Sequence, residues 1–285
     1  MKVLVLGRDG QLGSALKAIS PSIYQTTFLA RADMDFSDLS SLRKTVLSYR
    51  PVLVVNAAAY TAVDRAEMEA SMAFRVNAEA PQVIASACNE IGAVLIHFST
   101  DYVFDGDAKL PYREDAPTNP LGTYGQSKLA GELAISKESD KYIIIRTAWL
   151  YSLNGQNFLN TMLRLASSKK EVRVVSDQIG SPTFASDLAY VTWSIIDSLL
   201  HKQTGKFGLY HGANSGAISW HRFASEIFQL VGLNDIAVKS IFTSEYPTPA
   251  PRPRFTALSC ELINDIFGIT MPDWRDAVSR CLKDL

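Results

Sequence analysis

The first half of the chain alternates short apolar runs with longer mixed stretches. Lys2–Leu6, Thr26–Leu29, Val52–Asn56, Val94–Ser99 and Tyr142–Arg146 are rich in β-branched and bulky apolar residues, and the stretches between them are long enough for helices. That spacing predicts a series of βαβ units and hence a doubly wound parallel sheet. Val94-Leu95-Ile96 has no polar interruption, as a strand covered on both faces requires. Ser37 or Asp38 signals the start of a helix over Leu39–Tyr49, and Pro51 follows its end. Beyond Trp149 the rhythm loosens into a helix over Phe158–Ser167, a strand over Val172–Val175, a helix over Ala185–Leu200, and a helix over Trp220–Val231 capped by Ser219. The four prolines within Tyr246–Arg254 remove backbone donors and hold the preceding residues extended. This segment reads as an ordered crossing loop, with a flexible linker as the alternative.

The expected fold is α/β: a Rossmann-type doubly wound sheet over residues 1–150, with part of 185–215 returning to it, and a smaller interleaved C-terminal α/β lobe over 151–285. Composition agrees with two such lobes, since 47% of the 285 residues are apolar and 20% charged. A net charge of −1 with no basic block supplies no field for a nucleic acid polymer or an anionic membrane. Cys88, Cys260 and Cys281 stand far apart and outside metal-ligand spacings, so neither a disulfide framework nor a zinc site is expected. No apolar run reaches membrane-spanning length, and the run before Gly7 is too short for a signal-peptide core. The expectation is a protein of the reducing cytoplasm.

Three clusters carry candidate chemistry. Gly7-Arg8-Asp9-Gly10-Gln11-Leu12-Gly13 follows a strand and opens a helix, the context of a dinucleotide turn, although its spacing is GxxGxxG rather than GxGxxG. Glycines let the backbone approach a pyrophosphate, whose charge meets exposed amides at the helix start; packing of strand on helix is the plainer use. Asn56-Ala57-Ala58-Ala59-Tyr60-Thr61 follows the third apolar run with small side chains, against which a flat ligand can lie; tight packing is the plainer use. Asp35-Phe36 follows the second strand, where an acid and an aromatic suit an adenine or its ribose; a turn and a core position are the alternatives. Arg31, with Arg8 beside it, is a candidate for a 2′-phosphate, whereas Asp33 or Asp35 would favour a free ribose hydroxyl.

The sharpest signal is Ser99-Thr100-Asp101-Tyr102-Val103-Phe104 at the end of the fourth strand, followed by Tyr124-x-x-x-Lys128 entering a helix. Tyr124 and Lys128 share a helical face at i and i+4. An ammonium near a phenol lowers the phenol pKa, so Tyr124 can deliver a proton, and a Thr100 hydroxyl can stabilise charge developing on the same oxygen.

These residues, with Arg146-Thr147-Ala148-Trp149, Asp177-Gln178-x-Gly180-x-Pro182-Thr183 and Pro272-Asp273-Trp274, resemble the bacterial dTDP-4-dehydrorhamnose reductases, a family of extended short-chain dehydrogenase/reductases, nearly end to end. The resemblance implies reduction of the C4 ketone of dTDP-4-dehydro-β-L-rhamnose to dTDP-β-L-rhamnose by NADPH, with NADH also accepted. A reductase of another nucleotide 4-ketosugar and a catalytically silent NADP-binding regulatory subunit are the alternatives. Carried over residue by residue, the catalytic positions fall on Thr100, Tyr124 and Lys128. The residues themselves propose the cofactor contacts: Gly7, Gly10, Gln11, Leu12, Arg31, Asp35, Phe36, Ala58, Ala59, Tyr60 and Thr61, with Tyr124 and Lys128. Sugar contacts fall on Thr100, Asp101, Tyr102 and Trp149, and Arg252 suits the diphosphate. The family includes dimers joined through a magnesium ion held by carboxylates. The matching positions here are Ala15 and Ser186, with only Asp284 near the third, so no metal site is expected, and a monomer or weak homodimer.

Overall fold

The computed structural model describes residues 1–283 and 285. In chain order the main elements are β1 (Lys2–Leu6), α1 (Gln11–Ala18), β2 (Gln25–Leu29), α2 (Leu39–Tyr49), β3 (Leu53–Asn56), α3 (Ala80–Ile91), β4 (Val94–Thr100), α4 (Thr123–Glu138), β5 (Tyr142–Thr147), α5 (Phe158–Ala166), β6 (Glu171–Val175), α6 (Ala185–Asp197), β7 (Gly208–His211), α7 (Trp220–Leu230), β8 (Ala237–Ile241), α8 (Glu261–Phe267) and α9 (Trp274–Leu282). Short helical and π turns fill residues 63–79.

Six strands form one sheet in the order β7-β5-β4-β3-β1-β2, every pair parallel. Because parallel strands are covered on both faces, alternate side chains feed two separate cores. Val3, Val5, Leu53, Val55, Ile96, Phe98, Ile143 and Ile145 pack beneath α1 and α6 through Leu12, Leu16, Leu188 and Trp193. Leu4, Leu6, Val54, Leu95 and Ile144 pack beneath α2, α3 and α4 through Leu42, Val46, Ile84 and Ile135. Each fully buried side chain of this kind contributes roughly 1.5–3 kcal/mol. Residues 185–211 belong with this sheet: α6 lies against α1, and β7 extends the sheet beyond β5.

A second core gathers Tyr151, Leu159, Met162, Val172, Val174, Phe223, Ile227, Phe228, Trp274 and Val278 from α5, β6, α7 and α9, with β6 pairing β8 in parallel. Asp38 caps α2 by accepting from the Ser41 amide at 3.0 Å, and Ser219 caps α7 by accepting from the Arg222 amide at 3.3 Å. Such caps are worth about 1 kcal/mol each. The helix expected over Ala185–Leu200 is α-helical to Asp197 and then widens into a π turn over Ser198–Lys202. The proline-rich segment crosses between the lobes as an ordered loop: the Ala250 amide donates to Asp64 at 3.2 Å, and Phe255 bridges to Ile179. No helix among the described residues is long and apolar enough to cross a membrane.

Candidate active site

The ends of β1, β3 and β4 meet the starts of α1 and α4, at the carboxyl edge where doubly wound sheets bind ligands. Each glycine of the first turn has its own steric reason. Gly7 sits at φ +92, and a Cβ there would lie 2.8 Å from the Ala58 nitrogen, so the turn rests directly on the Ala57-Ala58 backbone. A methyl on Gly13 would collide with the Gly7 carbonyl, so α1 packs close beneath the turn. The amides of Gly7 and Arg8 donate to the Leu29 carbonyl at 2.9 and 3.0 Å, tying the turn to the end of β2. Gly10 caps α1 without a side chain, and the first turn holds no acid, so its amides and positive dipole end are free for an anion. A glycine cradle that a Cβ would fill, over an uncapped helix start, fits a dinucleotide pyrophosphate.

The loop after β3 is fixed from two sides. Asn56 Oδ1 accepts from the Ala58 amide at 3.2 Å, while Asn77 Oδ1 accepts from the Tyr60 amide at 2.9 Å. Asn77 Nδ2 in turn donates to the Tyr60 carbonyl and to Ser127 Oγ, both at 3.0 Å, joining the Ala58–Thr61 face to α4. Gln11 reaches the second lobe, its Oε1 accepting from Ser152 Oγ at 3.1 Å and Asn157 Nδ2 at 2.8 Å.

Small residues let α4 approach closely. Methyl groups on Gly125 and Gly131 would collide with the carbonyls of Tyr102 and Asn77. Glu67 anchors the helix start, accepting from the Thr123 amide at 2.8 Å and hydroxyl at 3.0 Å. Farther along, Arg146 on β5 grips Glu132 by two bonds of 2.9 and 2.6 Å, with both side chains 4% exposed. Breaking a buried pair of this kind by removing one partner costs about 3–5 kcal/mol.

Held this way, Tyr124 stands by Thr100, whose hydroxyl donates to Asp101 Oδ1 at 3.1 Å while accepting from the Tyr102 amide at 3.2 Å. Burial pushes the Tyr124 phenol up to about 12, against a lowering from Thr100. Burial likewise lifts the Asp101 carboxyl to about 6, with Thr256 and Thr100 opposing it, and raises Tyr102, whose ring meets that of Tyr124 edge-on at 5.6 Å. Lys128 is 2% exposed; its Nζ donates to the Phe98 carbonyl at 2.6 Å and lies 3.2 Å from His97 Nε2. Burial brings its amine down to about 8, partly offset by Glu132. Trp149 takes a left-handed backbone, φ +46, and stacks on Trp220 with ring centroids 3.3 Å apart and planes within 5°. Gly180 leaves room for that indole, since a methyl there would strike the ring. Arg252 pairs with Asp64 at 2.8 Å and lies 6.0 Å from the Tyr102 ring centre.

The family model described as the RmlD substrate binding domain matches residues 1–285. A dTDP-4-dehydrorhamnose reductase of Burkholderia thailandensis is 42% identical, over 100% of this chain and 99% of the relative. The chain belongs to the dTDP-4-dehydrorhamnose reductase family. A family structure from Clostridium acetobutylicum superposes with a TM-score of 0.94 at 36% identity, covering 99% of both chains. One from Bacillus anthracis, solved in complex with NADP, superposes with 0.93 at 35% identity, covering 100% of this chain and 99% of the other.

Within this family frame, the structure brings Thr100, Asp101, Tyr102, Tyr124 and Lys128 together and sets the glycine turn against Ala58. Asp35 closes a turn by accepting from the Ser37 amide and hydroxyl at 2.8 Å, and Phe36 packs on the core beneath α2. Arg8 is engaged by Asp9 at 2.9 Å and Asp33 at 3.4 Å, while Arg31 is exposed, its charge helping to lower Asp35. One expectation is corrected. The Tyr124 phenol is raised, not lowered, because the Lys128 amine is turned to the Phe98 carbonyl and His97, and burial dominates. Among the described residues no three His, Cys, Asp or Glu side chains gather to hold a metal. Ala15 packs on the core beneath α1, Ser186 lies in the first turn of α6, and Asp284 falls outside the described residues. Sequence reasoning missed Trp220, Asn77 and His97. For the last, a signal was present: a histidine inside the otherwise apolar run Val94–Phe98.

Proposed function

We propose that the protein reduces the C4 ketone of dTDP-4-dehydro-β-L-rhamnose to dTDP-β-L-rhamnose with NADPH. The observation that carries this reading is the placing of buried Thr100 and Lys128 with the half-buried Tyr124 phenol, which Thr100 acts to lower, at the same sheet edge as the glycine cradle. Gly7, Gly10, Gln11 and Leu12 would hold the pyrophosphate on the start of α1, Ala58–Thr61 would lie against the flat rings, and Lys128 would hold the nicotinamide ribose. When bound, NADPH supplies the hydride that the carbonyl carbon accepts.

The protein's own part is proton delivery and charge placement. With its pKa near 12, Tyr124 stays a protonated phenol at neutral pH and gives its proton to the carbonyl oxygen as negative charge builds there. Thr100 stabilises the same oxygen once its hydroxyl, which donates to Asp101 in the free protein, turns to the substrate. Trp149, backed by Trp220, offers an apolar face to the deoxysugar, Asp101 and Tyr102 its polar contacts, and Arg252 a guanidinium for the diphosphate. Residues 1–150 with 185–211 would form the dinucleotide half and the core around Tyr151 and Phe223 the sugar half, in a cytoplasmic monomer or weak homodimer. The test is loss of NADPH absorbance on adding enzymatically generated dTDP-4-dehydrorhamnose. Turnover that needs both reactants, with dTDP-rhamnose as product, is expected; no turnover, or faster turnover of a different nucleotide 4-ketosugar, would overturn it.

A further inference from the structure

Asn56 and His97 are register partners on adjacent strands β3 and β4, so their side chains leave the same face of the sheet, toward α4. Both are 0% exposed. Their hydrogen bonds fix one another by elimination. The Ala58 amide is a donor only, so the Asn56 atom it meets at 3.2 Å is the carbonyl oxygen, which leaves the NH₂ facing His97 Nδ1 at 3.1 Å. Nδ1 must therefore accept. A neutral imidazole with an accepting Nδ1 carries its hydrogen on Nε2, and it is Nε2 that faces Lys128 Nζ at 3.2 Å. Burial and the neighbouring lysine keep the ring from taking a second proton.

We propose that Asn56 and His97 are positioning residues that act through Lys128: Asn56 sets the His97 tautomer, and the Nε2–H of His97 donates to the Lys128 amine, which accepts it while donating to the Phe98 carbonyl. An ammonium has no lone pair to accept with, so the relay favours the neutral amine and places the proton equilibrium of Lys128 inside the working pH range. Burial lowers the Lys128 amine in the same direction. The other titratable or charged groups around Lys128 do not produce the same bias. Tyr124 and Asp101 are raised by burial, and Glu132 on its own helix favours the ammonium but is held by Arg146 from β5. Arg75 and Glu79, in the π turn against α4, pair with each other near solvent.

Only the kinetic consequence rests on the proposed function, in which Lys128 holds the nicotinamide ribose; the tautomer and the lysine midpoint can be read without any substrate. Long-range ¹H–¹⁵N NMR of the full-length protein reports the His97 tautomer, and ¹³C-lysine NMR with Lys128→Met for assignment reports the Lys128 midpoint. The expected results are an Nε2–H tautomer and a midpoint well below that of the other lysines. Asn56→Asp replaces the donor to Nδ1 by an acceptor, which flips the tautomer and lets an ammonium donate to Nε2. Its Lys128 midpoint is expected to rise by about one pH unit or more, and the alkaline limb of kcat/KM to rise with it. His97→Gln, whose amide NH₂ stands near Nε2, is expected to keep the midpoint within about half a unit of native. An Nδ1–H tautomer in the native protein, or an unmoved Lys128 midpoint in Asn56→Asp, overturns the relay whatever the enzyme turns over. A shifted midpoint with an unshifted kinetic limb overturns the link to turnover.

Discussion

Replacing Asp101 by Asn is expected to stabilise the protein, and to do so only where the native carboxyl is ionised. Asp101 is 2% exposed, and burial lifts its pKa from 3.8 to about 6 despite the hydrogen bond from Thr100 at 3.1 Å. The folded state thus binds this proton more tightly than the unfolded chain does. The group's contribution to stability is complete below about pH 4 and is lost as pH rises through the folded pKa. At about 1.36 kcal/mol per pKa unit, the two-unit gap amounts to about 3 kcal/mol near pH 7 and well under 1 kcal/mol near pH 4. The Asn side chain is uncharged throughout and keeps an oxygen to accept from Thr100. The stability difference between variant and native protein should therefore grow by about 2 kcal/mol between pH 4 and pH 7, or on the order of 5 °C in Tm for a chain of this size. Thermal unfolding of both proteins across that range reads it directly, because every other titrating group cancels in the difference. A difference of constant size across pH would mean that Asp101 carries no buried charge, and would sink the argument.

Tyr124→Phe is expected to keep cofactor binding and lower turnover on the order of a hundredfold or more, measured by NADPH titration and steady-state kinetics; full turnover would move the acid elsewhere. Trp149→Ala should raise the KM for the sugar nucleotide more than that for the cofactor, and equal changes would assign the indole to packing alone. Arg31→Ala should lower the NADPH to NADH ratio of kcat/KM; an unchanged ratio, or a native preference for NADH, removes Arg31 from the 2′-phosphate. With Ala15 and Ser186 at two of the family's magnesium positions, activity should survive EDTA, and a loss restored by magnesium would refute this.

The parallel sheet was legible because four of its first five strands read as apolar runs with no competing period and Thr26–Leu29 as a β-branched one, and the two-faced burial seen at Val94–Thr100 is what such a run demands. The glycine turn and the Tyr124–Lys128 pair were legible because both depend on local spacing along one element. What escaped the sequence depends on register between elements. Asn56 and His97 meet only because Leu53–Asn56 pairs with Val94–His97 without offset, and no property of either segment alone reports that offset. Trp220 lies 71 positions beyond Trp149 and reaches it only through the folding back of the second lobe. The direction of the Tyr124 shift was misread for a related reason: i,i+4 spacing places Lys128 on the right face, but the carbonyl of Phe98 decides where its amine points.

The polar groups buried at this edge fall into two kinds with different consequences. Arg146 and Glu132 neutralise each other through a two-pronged bond, and His211, turned to the carbonyls of Tyr112 and Ser259, is kept neutral by burial. Groups of this kind hold elements in register. Asp101 near 6 and Lys128 near 8 are held off their ordinary values by burial that no opposite charge fully compensates, and both flank the Thr100–Tyr124 pair. Burying ionisable groups without full compensation destabilises a fold. Two such groups on either side of one phenol are therefore poorly explained by stability, and are what a site needs if it is to hold a proton ready and release it on demand. The left-handed backbone of Trp149 belongs with them. A bulky residue at φ +46 costs on the order of 1–3 kcal/mol, which a glycine would avoid, but only the strained residue puts an indole against Trp220 and beside Gly180.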